Sequence, residues 1–102
     1  MPVLVKKRRP IHPGRVLKRT LADAGLAANA VALALRIPAN RLTEIINAKR
    51  SITADTAMRL GRFFGTSAQM WMNLQSRYEL ELAEDQLAER IDREVQPLRK
   101  AS

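Results

Sequence analysis

Val31-Ala-Leu-Ala-Leu-Arg-Ile-Pro-Ala-Asn-Arg-Leu-Thr-Glu-Ile-Ile-Asn47 holds two short apolar patterns separated by Arg36-Ile37-Pro38. The first pattern puts Val31, Ala32 and Leu35 on one helical face. The second buries Leu42, Ile45 and Ile46 at the same periodicity. Pro38 cannot extend the first helix but can open the next, so it marks the boundary between them. Two helices that cross at roughly 90–120° through a short turn need a small residue where they touch. Ala32 is that residue, and Val31, Leu35, Ile37, Leu42 and Ile45 fill the wedge between the helices. Ala39, Asn40, Arg41, Thr43, Glu44 and Asn47 then face outward, followed at once by Lys49 and Arg50. One position breaks the local rule. A turn of this kind favours Gly where Arg36 stands, because a left-handed backbone costs other residues roughly 1–2 kcal/mol. Either Arg36 bears that strain or the turn is built differently.

Working outward, a first helix is predicted to start at Pro13, where a fixed φ and a missing N–H cost nothing. Its inner stripe is Val16, Leu17, Leu21 and Ala24, and Gly25 stops it, with Leu26 packing back over the last turn. His12, the single histidine, has no second ligand or nucleophile near it in the sequence and reads as a helix-start or packing residue. The second helix spans about Ala28 to Leu35. Ala27 stands where a Ser or Thr cap is preferred, so Asn29 could substitute by starting the helix later. The third helix runs about Ala39 to Asn47. Thr53 is expected to cap a fourth helix, with Asp55 favourably placed in its first turn. Ala57, Leu60, Phe63 and Phe64 form the buried set of that helix and Gly65 ends it. Thr66-Ser-Ala-Gln69 has capping-box spacing for a fifth helix that can continue towards Val95, before Pro97. In that helix Trp71 and Leu74 either complete the core or join an interface. The fold class expected is all-α, with five helices and an extended C-terminal one.

At 102 residues there is room for one core, and Gly and Pro are few. The chain has no cysteine, which excludes disulfide frameworks, Cys-type zinc sites and thiol catalysis. With one His, no glycine-rich phosphate loop and no carboxylate pair in a recognisable apolar pocket, no catalytic residues, metal ligands or cofactor are expected. Net charge is +8, unevenly spread: residues 1–78 carry 14 Lys/Arg against 3 Asp/Glu, whereas residues 79–102 carry 4 against 7. A body at +11 suggests a polyanion partner, and an acidic tail segment suggests a different task, although plain solvation would also produce both. The expected division is a basic arm over 1–9 ending in Lys6-Lys7-Arg8-Arg9, a helix-turn-helix domain over 10–78, and an acidic helical extension over 79–102. No apolar run is long enough to span a membrane, and the start does not read as a secretory signal. A soluble cytoplasmic protein is expected.

His12-Pro-Gly-Arg-Val-Leu17, Asn40-Arg-Leu-Thr-Glu-Ile-Ile-Asn-Ala-Lys-Arg50, Ile52-Thr-Ala-Asp-Thr-Ala-Met-Arg-Leu60 and Phe64-Gly-Thr-Ser-Ala-Gln-Met-Trp-Met-Asn-Leu-Gln75 together resemble the HigA-type antitoxins. These are helix-turn-helix proteins of the lambda-repressor-like group. The similarity covers about residues 10–80, and Ala27 departs from the family's more usual Ser. The resemblance implies a dimeric DNA-binding antitoxin that represses its own operon at a palindromic operator and neutralises a HigB/RelE-like ribonuclease toxin. A stand-alone repressor without a toxin partner is the alternative.

The chemistry of the outward face fits such a task. Asn40 can pair bidentately with adenine, and Arg41 with guanine or a phosphate. Thr43 can touch a thymine methyl or a phosphate, and Glu44 can accept from a cytosine amine. Asn47, Lys49 and Arg50 leave the helix where backbone phosphates should lie, and outward-facing Ala39 at the helix start is counted with the DNA-binding residues. The bland reading has Asn40 capping its own helix, Glu44 pairing with a nearby Arg and Asn47 closing the C-terminus. A single helix-turn-helix buries too little surface for operator-level specificity, so a homodimer is expected. Met70, Met72, Tyr78 and Leu82 of the fifth helix are the candidate interface. The acidic segment 79–94 is either a toxin-binding surface or a solvated helix.

Overall fold

The computed structural model describes residues 9–99, which form five helices: α1 (Pro13–Ala24), α2 (Ala28–Leu35), α3 (Ala39–Ile46), α4 (Ala54–Phe64) and α5 (Ala68–Glu94). Of the expected basic arm only Arg9 lies within the described residues; Lys6, Lys7 and Arg8 lie outside them.

α1 begins as its sequence dictates. Pro13 is the first helical residue, and the His12 side chain caps the helix, its Nδ1 accepting from the Gly14 amide at 2.9 Å. Gly25 stops it in the left-handed region at φ 68°, and Leu26 N–H closes onto the Leu21 carbonyl at 2.9 Å. Leu17 and Leu21 are buried and Val16 is half-buried, but Ala24, placed on the inner stripe by periodicity, is exposed at the helix end.

α2 buries Val31, Ala32 and Leu35. Its first residue is Ala28 and no side chain caps it at Ala27, so Asn29 sits inside the first turn and does not substitute as a cap. Leu42 and Ile45 of α3 are fully buried, whereas Ile46 is only half-buried at the edge of the core.

α4 packs along α5 and contributes Ala57 and Leu60 to the core. Two expectations fail here. Thr53 stands at the cap position without reaching an amide; its Oγ1 lies 3.4 Å from Oγ1 of buried Thr56 instead. Phe63 is 41% exposed, its ring set edge-on to half-buried Phe64. The expected capping box does not form: the cap lies one residue later, at Ser67, and Met70 stands where Glu or Gln would have to return the bond. Ser67 Oγ accepts from Met70 N–H at 3.0 Å, which frees Thr66 Oγ1 to accept from Trp71 Nε1 at 3.0 Å. That bond satisfies the polar end of an indole that is 1% exposed, so Trp71 belongs to the core, with half-buried Leu74 packed against it.

Two glycines set the helix approaches. A Cβ on Gly14 would collide with the Ile45 carbonyl oxygen, so α1 rests directly on the backbone of α3. A Cβ on Gly61 would lie 2.9 Å from the Ala68 nitrogen, which fixes α4 against the start of α5. The molecule measures 57 × 28 × 21 Å, and the 27 residues of α5 supply most of its length. From Glu84 to Arg99 only Ala88 is not exposed, so the distal turns of α5 run beyond the core. Among the described residues, no helix is long and apolar enough to cross a membrane.

Candidate nucleic-acid interface

α2 and α3 each close at their C-terminal end through paired backbone hydrogen bonds. Arg36 does carry the strain the sequence raised, at φ 60° and ψ 42°. Its N–H meets the Leu33 carbonyl and that of Ile37 meets the Ala32 carbonyl, both at 3.1 Å. The same closure recurs after α3. Ala48 takes φ 61°, its N–H bonding Ile45 O at 3.0 Å, and the Lys49 N–H bonds Glu44 O at 2.8 Å. Both are the paired closure that usually employs Gly, and here two residues with side chains bracket α3.

Buried Gln75 of α5 then holds the segment after α3. Its Oε1 accepts from the Ile52 N–H at 2.8 Å, while its Nε2 donates to Glu79 at 2.8 Å. Sequence reading assigned Gln75 no role, since a polar residue at helical spacing usually marks the wet face. The signal available was its phase: residue 75 follows Trp71 by one helical turn.

The outward face divides into open and engaged groups. Ala39 and Asn40 are exposed, and Asn40 lies in the first turn of α3 behind the Pro38 cap, so it does not cap its own helix. Asn40, Asn47 and Lys49 make no side-chain bond among the described residues. The Thr43 hydroxyl donates to the Ala39 carbonyl at 3.0 Å. Glu44 pairs with Arg50, whose Nε lies 2.7 Å from its carboxylate. Arg41 Nη1 donates to Asp55 Oδ2 at 2.9 Å. Asp55 also accepts from Arg59 Nε at 3.1 and 3.2 Å, and Arg59 Nη1 reaches the Leu35 carbonyl at 2.9 Å. Hydrogen bonding from Arg59, with the charge of Arg59 and then the hydrogen bond and charge of Arg41, outweighs desolvation and holds the Asp55 carboxyl below its ordinary range.

The four candidate interface residues on α5 are half-buried. Met70 and Met72 pack on the edge of the core. Tyr78 meets the His12 ring edge-on at 4.9 Å, so part of its surface is used within the chain. Burial lowers the His12 pKa, against a raising contribution from the Arg50 backbone. His12 is thus a cap whose ring is packed against α5. Among the described residues no group of three or more His, Cys, Asp or Glu could hold a metal ion.

A five-helix α fold in which α3 exposes its polar face and packs on α1 and α2, with α4 behind α2, defines a helix-turn-helix protein of the lambda-repressor-like class. Comparison narrows that class. Virulence-associated protein I of Dichelobacter nodosus is 49% identical over 75 residues, covering 72% of this chain and 69% of the relative. An addiction module antidote protein of the HigA family from Coxiella burnetii matches with a TM-score of 0.86 at 47% identity, covering 89% of this chain and 100% of that one. Pseudomonas aeruginosa antitoxin HigA, solved with the higBA promoter, gives a TM-score of 0.85 at 44% identity, with 89% and 100% coverage. No protein-family model matches the sequence. The chain belongs to the HigA family of helix-turn-helix antitoxins.

Proposed function

We propose that this protein is a DNA-binding antitoxin that represses its own operon and neutralises a small ribonuclease toxin of the HigB/RelE-like type. The observation that carries the DNA reading is the exposed polar face of α3, held on a scaffold shared with an antitoxin solved with promoter DNA. In this reading α3 enters the major groove from its N-terminal end, with Ala39 close to the bases and Asn40 open to pair with adenine. Arg41 reads a guanine or clamps a phosphate, and Thr43 and Glu44 line the groove. Asn47, Lys49 and Arg50 follow the backbone. Two copies joined through α5, with Met70, Met72, Tyr78 and Leu82 at the contact, would address the half-sites of a palindrome about 34 Å apart.

The division into a basic arm, a reading domain and an acidic extension belongs to the same proposal. Leu87, Ile91 and Val95 stand exposed on the extension beside Glu84, Asp85, Glu89 and Asp92, a surface suited to a basic partner. Family membership favours the antitoxin over a repressor without a toxin, and co-purification with the product of the neighbouring gene tests that preference. A regulatory role in the cytoplasm rather than catalysis fits the spending of the single histidine on a helix cap.

The DNA reading is tested by titrating a duplex that carries the promoter of this gene. With about six cations on phosphates, affinity is expected to fall about a thousandfold between 50 and 200 mM salt. Binding that ignores salt, or no binding to any duplex, contradicts it.

A further inference from the structure

Residues 1–78 hold only three carboxylates, Asp23, Glu44 and Asp55, and two of them are bonded to arginines on the face assigned to DNA. A carboxylate beside phosphates weakens binding through repulsion, so affinity alone gives no reason for its presence there. Asp55 has a particular geometry. It lies in the first turn of α4, outside α3, yet its carboxylate reaches Arg41 of α3 at 2.9 Å and Arg59 of α4 at 3.1 and 3.2 Å. Arg59 in turn holds the last carbonyl of α2, Leu35, at 2.9 Å. One carboxylate therefore connects all three helices that frame the reading surface.

We propose that Asp55 is a positioning residue for sequence recognition, orienting the Arg41 guanidinium so that its remaining edge meets a base. The inference rests on the DNA-binding reading above. A guanidinium has five N–H donors in a planar fork. Asp55 engages Nη1 and leaves the hydrogens on Nε and Nη2 available for the paired bonds that recognise guanine. Without Asp55 the long side chain of Arg41 swings to the nearest phosphate, where it adds affinity without reading sequence. Asp55 thus exchanges non-specific affinity for discrimination.

The test uses the full chain and duplexes enriched by the parent protein from a randomised pool, each site base then being changed singly. Affinity for these and for random-sequence duplex is measured for the parent, Asp55→Asn, Arg41→Ala and the double variant. Asp55→Asn is expected to lose about tenfold in discrimination at one base pair per half-site, with random-sequence affinity equal or higher. In the Arg41→Ala background the same change is expected to alter discrimination no further. A merely structural role would lower affinity for all duplexes together with the melting temperature, and that outcome overturns the proposal. Unchanged discrimination in Asp55→Asn overturns it as well. So does a loss that persists in the Arg41→Ala background, because Asp55 would then act without Arg41. Asp55→Ser carries the same expectations should Asp55→Asn melt below the assay temperature. A parent that enriches no duplex at all refutes the DNA-binding reading itself, which separates the two failures.

Discussion

Arg36 and Ala48 adopt a backbone that favours glycine, one at each end of α3. Their strain brings the chain round sharply enough for Ile37 to be buried between α2 and α3 and for Lys49 to follow α3 without a break. The left-handed conformation costs a side-chain-bearing residue about 1–2 kcal/mol, and glycine returns about 0.5–1 kcal/mol of that through its freer unfolded chain. Arg36 is exposed, so replacing it removes no core contact. Arg36→Gly is therefore expected to raise stability by up to about 1.5 kcal/mol, seen as a melting temperature up to a few degrees higher by circular dichroism. A lower melting temperature would mean that the arginine side chain contributes more than the strain costs. At this scale Gly25 and Gly65 announced their helix ends in the sequence, because both the residue type and the place in the pattern agreed. The conformation of Arg36 was legible only as an alternative, since nothing in a residue name says whether strain is borne or avoided.

The relation between α1 and α3 depends on one missing side chain. Gly14 lets the first turn of α1 rest on the Ile45 carbonyl, while the His12 cap keeps that turn helical from its first residue. Gly14→Ala must push the two helices apart, and overpacking of this kind is expected to cost about 2–3 kcal/mol. Chemical denaturation checks this, and a loss under about 0.5 kcal/mol, the range of neutral surface changes, would show that the contact yields. The start of α3 and the buried residues Val31, Ala32, Leu35, Leu42 and Ile45 followed from periodicity and from Pro38, because both reflect local geometry. The Gly14 contact, the Gln75 bond to Ile52 and the Arg41–Asp55–Arg59 chain did not, because each joins residues distant in sequence. The failures at Thr53, Phe63 and Ala24 share a cause. Caps and helix ends depend on what packs beside them, which a helical repeat does not encode.

On the scale of the whole molecule, a basic body presents α3 on one surface while α5 projects an acidic, partly apolar helix beyond the core. The body's positive field favours approach to any duplex, so the salt response reports on the charge and not on α3. Sequence preference isolates α3. Asn40 is exposed, has no side-chain bond among the described residues and lies in the first turn, where a helix entering a major groove meets the bases. Lys49, beyond the helix end, carries charge alone. The decisive measurement compares the affinity of Asn40→Ala and Lys49→Ala for a parent-enriched duplex and for its single-base variants. Asn40→Ala is expected to lose about ten- to a hundredfold on the enriched duplex and almost nothing on the duplex altered at its own base pair. Lys49→Ala is expected to weaken all of them alike. If Asn40→Ala kept the parent's full preference at every base pair, α3 would not be the element that reads DNA.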